Sequence, residues 1–295
     1  MLNVIKMEIS RLFRTKSLHV TLGVCAGTVV LLVMFLSALL DFTSSPDNFP
    51  DMTVSAGDAA EGFMVSEGDF SAGVTVSPSD TSVFETPCPL SFCGSVVSGM
   101  CILFVVIYAA SFVHAFYRDG YSKNVISCVK YRYYFQISKT VCVAAISAVF
   151  LVVASVVSML TAAILVKTFT FTHMGLYFAF MIGEYFLLNA VGLLSAFLTE
   201  LTGGKVTAIV YILLAMTNLV GGILSLVDSK LSQLFHTDVQ LSNFLPSLYH
   251  GSFSISVEDT ASNASHLAHA ILLSIVFIAI YNVAGAYLIT KRDVK

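Results

Sequence analysis

The side chains that could carry chemistry in this sequence are few, and they do not gather. Glu184 is an acid in the middle of a long apolar run; Asn189, Asn218 and Asn282 occupy comparable apolar settings. Cys88 and Cys93 bracket the hexapeptide Cys-Pro-Leu-Ser-Phe-Cys, where two readings stand: a short disulfide on an oxidising side, or two free thiols. The six cysteines (Cys25, Cys88, Cys93, Cys101, Cys128 and Cys142) form neither a CxxC pair nor a Cys/His set with zinc spacing. His266 and His269 could share one helix face at i, i+3, but no carboxylate adjoins them, so no metal site is expected. Gly203-Gly204-Lys205-Val206 is the nearest approach to a phosphate-binding loop. It has Thr199 where the first glycine belongs and no Ser or Thr after the lysine. There is no HExxH, GxSxG or GxGxxG. The sequence therefore predicts no catalytic centre, no resident cofactor and no nucleic-acid partner.

The elements that hold these residues follow from composition. Of 295 residues, 57% are apolar and 11% charged, against about 25% charged in a soluble domain. So little charge cannot cover a water-facing surface, and lipid must cover much of this one. A helix needs roughly 20 apolar residues to cross the hydrocarbon. Six segments qualify: 19–40, 95–116, 140–166, 175–198, 206–227 and 268–290. Backbone groups in lipid must be paired within their own segment, so the fold class is all-α integral membrane. No Ala-x-Ala-like cleavage site follows the first apolar stretch, and the N-terminus is expected to be retained.

Lys and Arg placement gives the orientation. Of the fifteen basic residues, all but Lys167 and Lys230 fall on one side of a six-span layout, which predicts both termini to be cytoplasmic in a multi-pass cell-membrane protein. Residues 1–17 read as an interfacial helix, with Leu2, Ile5, Ile9, Leu12 and Phe13 on one face and Lys6, Arg11 and Arg14 toward the other. On the opposite side, 41–94 is a long extracytoplasmic loop holding nine acids and many Ser, Thr, Gly and Pro residues. The second outer segment, 229–265, has the spacing of short amphipathic helices at the interface. Spans and loops together make 18–295 one permease-like domain.

The cytoplasmic stretch after span two runs Tyr117-Arg118-Asp119-Gly120, then Lys123-Asn124, then Arg132, with Lys139 opening the next span. This pattern resembles the first cytoplasmic loop of type-2 ATP-binding-cassette exporter permeases, of the bacitracin-resistance and lantibiotic-immunity branch. The match departs from that family at Tyr131, where Pro or Gly is usual, and at Asp119, where Glu is usual. The resemblance implies that the loop couples to a separate ATPase subunit through Arg118, Asp119, Gly120, Lys123, Asn124 and Arg132. ATP and Mg would then belong to that partner and not to this chain. It also implies a second permease subunit, identical or related, and export of an amphipathic peptide such as an antimicrobial peptide. A channel or sensor subunit without an ATPase, and an exporter of lipid-like drugs or sodium, are the alternatives.

Two readings of Glu184 stand side by side: a role in the substrate path or its conformational change, or a neutral carboxyl making one interhelical hydrogen bond. Asn189, Asn218 and Asn282 read as helix-to-helix contacts. Gly23 and Gly27 form a Gly-xxx-Gly pair in span one; the resemblance implies that permease halves meet around spans one and five, which makes this pair a candidate dimer surface.

Overall fold

The computed structural model describes residues 2–44, 88–118, 133–166, 169–216, 241–255 and 260–291, together with Val220, Leu224, Val227, Asp228 and Val257. Among them there is no strand. Eight α-helices follow in order: α1 Leu2–Arg14, α2 Lys16–Ser44, α3 Gly94–Arg118, α4 Tyr133–Leu165, α5 Met174–Thr202, α6 Lys205–Met216, α7 Pro246–Ser252 and α8 Thr260–Lys291. A π-helical turn, Pro89–Cys93, leads into α3, and a 3-10 turn, Leu241–Phe244, precedes α7. Five helices (α2, α3, α4, α5 and α8) are long and apolar enough to cross a membrane, so the chain is a multi-pass membrane protein. The expected span 206–227 is described as a continuous helix only through Met216.

Two boundaries differ from the sequence expectation. α4 begins at Tyr133, seven residues early, because Tyr133, Tyr134 and Phe135 carry the helix outward as an aromatic collar. α8 begins at Thr260, not 268, so the end of the expected outer amphipathic segment is a polar first stretch of the last long helix.

α3, α4 and α5 make the centre. Their meeting point is Gly192 on α5, where an added Cβ would come within 2.8 Å of Val143 on α4 and 3.2 Å of Val105 on α3. Small residues let membrane helices approach this closely. Aromatic rings extend the contact: Phe150 of α4 packs on Phe104 and Tyr108 of α3, with centroids 6.2 and 5.9 Å apart. α2 packs on this centre through one stripe, Leu18, Cys25, Val29 and Val33, all buried. The rest of α2 exposes Val20, Val24, Leu31, Met34 and Phe35. Such a helix would be insoluble in water, and lipid is its natural solvent.

The N-terminal helix is more tightly held than an interfacial helix resting on lipid alone. α1 buries Leu12 and Glu8 against the bundle and exposes Met7 and Phe13. At its end the Thr15 hydroxyl donates to the Leu12 carbonyl at 2.7 Å and meets the Tyr108 hydroxyl at 3.1 Å. The chain turns there and continues directly as α2. α5 ends at Gly203, whose φ of 73° closes the helix with a bond from its N–H to the Thr199 carbonyl. Glycine takes this left-handed position without strain. The Gly-Gly-Lys sequence is therefore a helix cap and the start of α6.

Candidate functional site

Two charged side chains in apolar surroundings organise the described bundle: Lys139, in the second turn of α4, and Glu184, in the third turn of α5. Each is within 1% of full burial. A lone charge in such a place costs several kcal/mol, so its partners define the site.

Lys139 is answered from two helices. It pairs with Glu200, buried in the last turn of α5, and donates to the Tyr117 hydroxyl at 3.0 Å from the last turn of α3. The ammonium also lies 4.4 Å from the ring centre of Phe135 and 5.0 Å from that of Tyr117, positions where the negative face of a ring attracts a cation. Phe135 meets Phe116 edge-on at 5.4 Å, and the Arg11 guanidinium of α1 lies 4.7 Å over Phe116. One chain of contacts thus joins α1, α3, α4 and α5 at a single end of the bundle. It sits at both roots of the segment 119–132.

That segment carries most of the expected coupling residues. Asp119, Gly120, Lys123, Asn124 and Arg132 lie outside the described residues; Arg118 is the exposed last residue of α3. Lys139, which the sequence pattern grouped with them, is turned inward and 1% exposed. It is a pin between helices and no part of an accessible surface.

Glu184 is answered from outside the spans. Its Oε2 lies 2.9 Å from His250 Nε2 on α7, with the two side chains 0% and 4% exposed. The spacing is that of an ion pair, but the nitrogen is off the hydrogen-bond line, and Glu184 Oε1 has no hydrogen-bond partner. The local sequence explains how His250 gets there. Leu245 is extended, Pro246 starts the helix at a position where its missing N–H does no harm, and seven residues make two turns. Those turns bury Pro246, Ser247, Tyr249 and His250 on one side. Phe253 follows, stacked on Phe180 at 5.6 Å, with its ring tip in the space a side chain at Gly183 would need. Tyr249 sits edge-on to His269 at 4.8 Å and donates to the His266 carbonyl at 3.5 Å. Ser247 shares a hydrogen bond of 3.0 Å with Tyr211 of α6, and His269 Nε2 lies 3.1 Å from the Asn243 carbonyl. α7 is therefore wedged between α5, α6 and α8.

The other expected residues divide. Asn282 of α8 accepts a hydrogen bond from Thr140 of α4 and donates to the Ile278 carbonyl at 2.8 Å. Asn189 is buried with its Oδ1 unpartnered. Asn218 lies outside the described residues. Gly23 and Gly27 stand on the exposed side of α2, with nothing of this chain within 4 Å of an added Cβ. Cys88 and Cys93 are both buried. The π-helical turn between them, closed by the Phe92 N–H on the Cys88 carbonyl at 3.0 Å, carries both into the apolar packing. Burial pushes the Cys93 thiol up to about 12. His266 and His269 are engaged with α7 and the turn before it. Among the described residues, no three His, Cys, Asp or Glu side chains gather as a metal ion would require.

Glu8, Glu200 and His250 were not singled out from the sequence. One signal was available for two of them. Lys139 and Glu184 each sit in a segment that must be apolar, and each demands an opposite charge. Glu200, at the end of a span, and His250, in a segment of apolar periodicity, were the residues free to supply it. No known family model matches the chain, and no curated protein matches it either.

Proposed function

We propose that this chain is the membrane-spanning subunit of an ATP-driven exporter, working with a second permease subunit and with separate ATP-binding-cassette subunits that bind ATP and Mg. The observation that carries the reading is the Lys139 centre at the roots of segment 119–132. Tyr117 precedes the segment and Lys139 follows it; Lys139 holds both Tyr117 and Glu200 on α5. Arg11 brings in α1 through Phe116. A displacement applied to the segment is passed to four helices at once, as a coupling element requires. The segment itself is rich in Lys, Arg and Tyr, which suits charge steering and aromatic anchoring against a protein partner. The sequence carries no phosphate-binding loop, and in this reading ATP is bound by the partner. The fitting cargo is an amphipathic peptide taken up between two such subunits.

The test is to purify the tagged chain in mild detergent and identify what accompanies it. A nucleotide-hydrolysing subunit is expected. Reversing two charges (Lys123→Glu with Arg132→Glu) should leave ATP turnover in place and abolish export. Normal export by the doubly reversed chain, or a working assembly with no ATPase, overturns the reading. A channel or sensor subunit is the second reading. It is favoured by the buried Glu184–His250 pair, which lies apart from the Lys139 centre.

A further inference from the structure

The Glu184 centre holds an element of its own, α7. We propose that Glu184 and His250 form a proton-binding site inside the bundle, and that loading it releases α7 from its seat.

The argument begins with what surrounds the pair. Glu184 is completely buried and its Oε1 has no hydrogen-bond partner, so the carboxylate has an open acceptor position. His250 is 4% exposed, and Gly251 and Ser252 after it in sequence are exposed. The elements packed around the pair contribute Cys101 of α3, Tyr211 of α6, Tyr249 of α7, and His266 and His269 of α8. Cys88 lies in the same apolar cluster. Burial raises the Tyr249 phenol above its ordinary range, which keeps it neutral. None of α3, α4, α6, α7 or α8 contains an Asp or Glu. The other acid of α5, Glu200, is 16 residues away, about 24 Å along the axis. No other acid on these helices can replace Glu184 opposite His250.

The consequence follows from charge balance. With a carboxylate facing an imidazolium the pair is neutral as a whole and tolerates burial. A proton taken up by Glu184 leaves an imidazolium facing a neutral acid in an apolar pocket, a state that burial penalises heavily. The short route to relief carries His250 outward, and α7 moves with it. Tyr249, Ser247 and Phe253 then leave His266, Tyr211 and the Gly183 surface together, since all belong to the same two turns and the residue after them. Histidine-based switches work through such a change of charge biasing an element with two positions.

The chain contains no tryptophan, so Leu248→Trp, on the partly buried side of α7, gives a single reporter. Its emission maximum is followed in detergent between about pH 8 and about pH 5, with helix content measured in parallel. A reversible red shift on acidification is expected, and Glu184→Gln and His250→Gln should each abolish it. Ser247→Cys supplies a second reading: its labelling by an impermeant maleimide, corrected for reagent reactivity and for the parent chain, should rise at least about tenfold at the acid end. An unmoved emission maximum and an unchanged labelling rate overturn the inference. So does a shift that persists in both Gln variants.

Discussion

Removing the Lys139 ammonium is the sharpest test of how the bundle is pinned. Lys139→Met keeps the chain length and apolar volume of the stem and deletes the charge. Glu200 then stays behind as a buried acid whose cation is gone, and Tyr117 loses its donor. Breaking one side of a buried pair costs about 3–5 kcal/mol. The two ring contacts, at 4.4 and 5.0 Å, place the loss toward the upper part of that range, since a desolvated cation over a ring contributes up to about 2 kcal/mol. For a chain of this length each kcal/mol moves the melting midpoint by about 2 °C, which gives a drop of about 6–10 °C. The assay is thermal unfolding of the purified protein in mild detergent, run on Lys139→Met, Glu200→Gln and the double variant. Replacing both members leaves no orphaned charge, so the double variant should be more stable than the sum of the single losses by about 2 kcal/mol or more. A Lys139→Met midpoint within about 2 °C of the parent, or strictly additive losses, would refute the buried pin.

Other expectations come from single positions. Gly192→Ala pushes a methyl group between Val143 and Val105 and should cost about 1–3 kcal/mol, while Gly251→Ala, in open space, should be silent in the same melt. Gly203→Ala forces a side chain into a left-handed cap at φ 73° and should cost about 1–2 kcal/mol, visible as a lower midpoint without loss of helix content. Cys93, with its thiol moved from an ordinary 9.0 to about 12, holds about a thousandfold less thiolate at pH 8. Iodoacetamide should therefore modify it only after unfolding, and labelling of the native protein at the unfolded rate would contradict its placement.

The class of fold was legible because its cause is compositional. Runs of about 20 apolar residues have one stable form in lipid, and five of the six show the length to cross it. Boundaries were less legible: α4 starts in an aromatic collar ahead of Lys139, outside the uninterrupted apolar run, and α8 starts in a polar stretch. The site was half legible. Glu184 announced itself as an acid in an apolar run, but its partner lies 66 positions along the chain on a two-turn helix that only tertiary packing brings inward. Lys139 misled for a related reason. Counted with its neighbours it reads as one more inner-face cation, and nothing in its immediate sequence says that it turns toward α5. Pairing each buried charge with the acids and cations at span ends would have found Glu200, at the last turn of α5.

Both centres converge on α5. This helix is 29 residues long, about 43 Å at 1.5 Å per residue, and it carries two buried carboxylates, Glu200 in its last turn and Glu184 in its third. Glu200 ties the last turn to α4 through Lys139 and, by the same ammonium, to Tyr117 of α3. Glu184 faces His250 of α7. Between them, Gly192 lets α3 and α4 close directly on its backbone. A hydrogen-bonded helix resists compression, so a shift at Glu200 reaches Glu184 as translation or rotation of the helix, and interior packing leaves it few intermediate positions. That geometry explains why the bundle places its charges on this helix. An apolar contact slides with little directional preference, whereas an ion pair in a low-dielectric setting is strong at one arrangement and costly when parted. Two such pins on one helix make its position discrete at two levels of the bundle. The physical content of the transport reading is that a push at segment 119–132 and the seating of α7 act on the same rigid element.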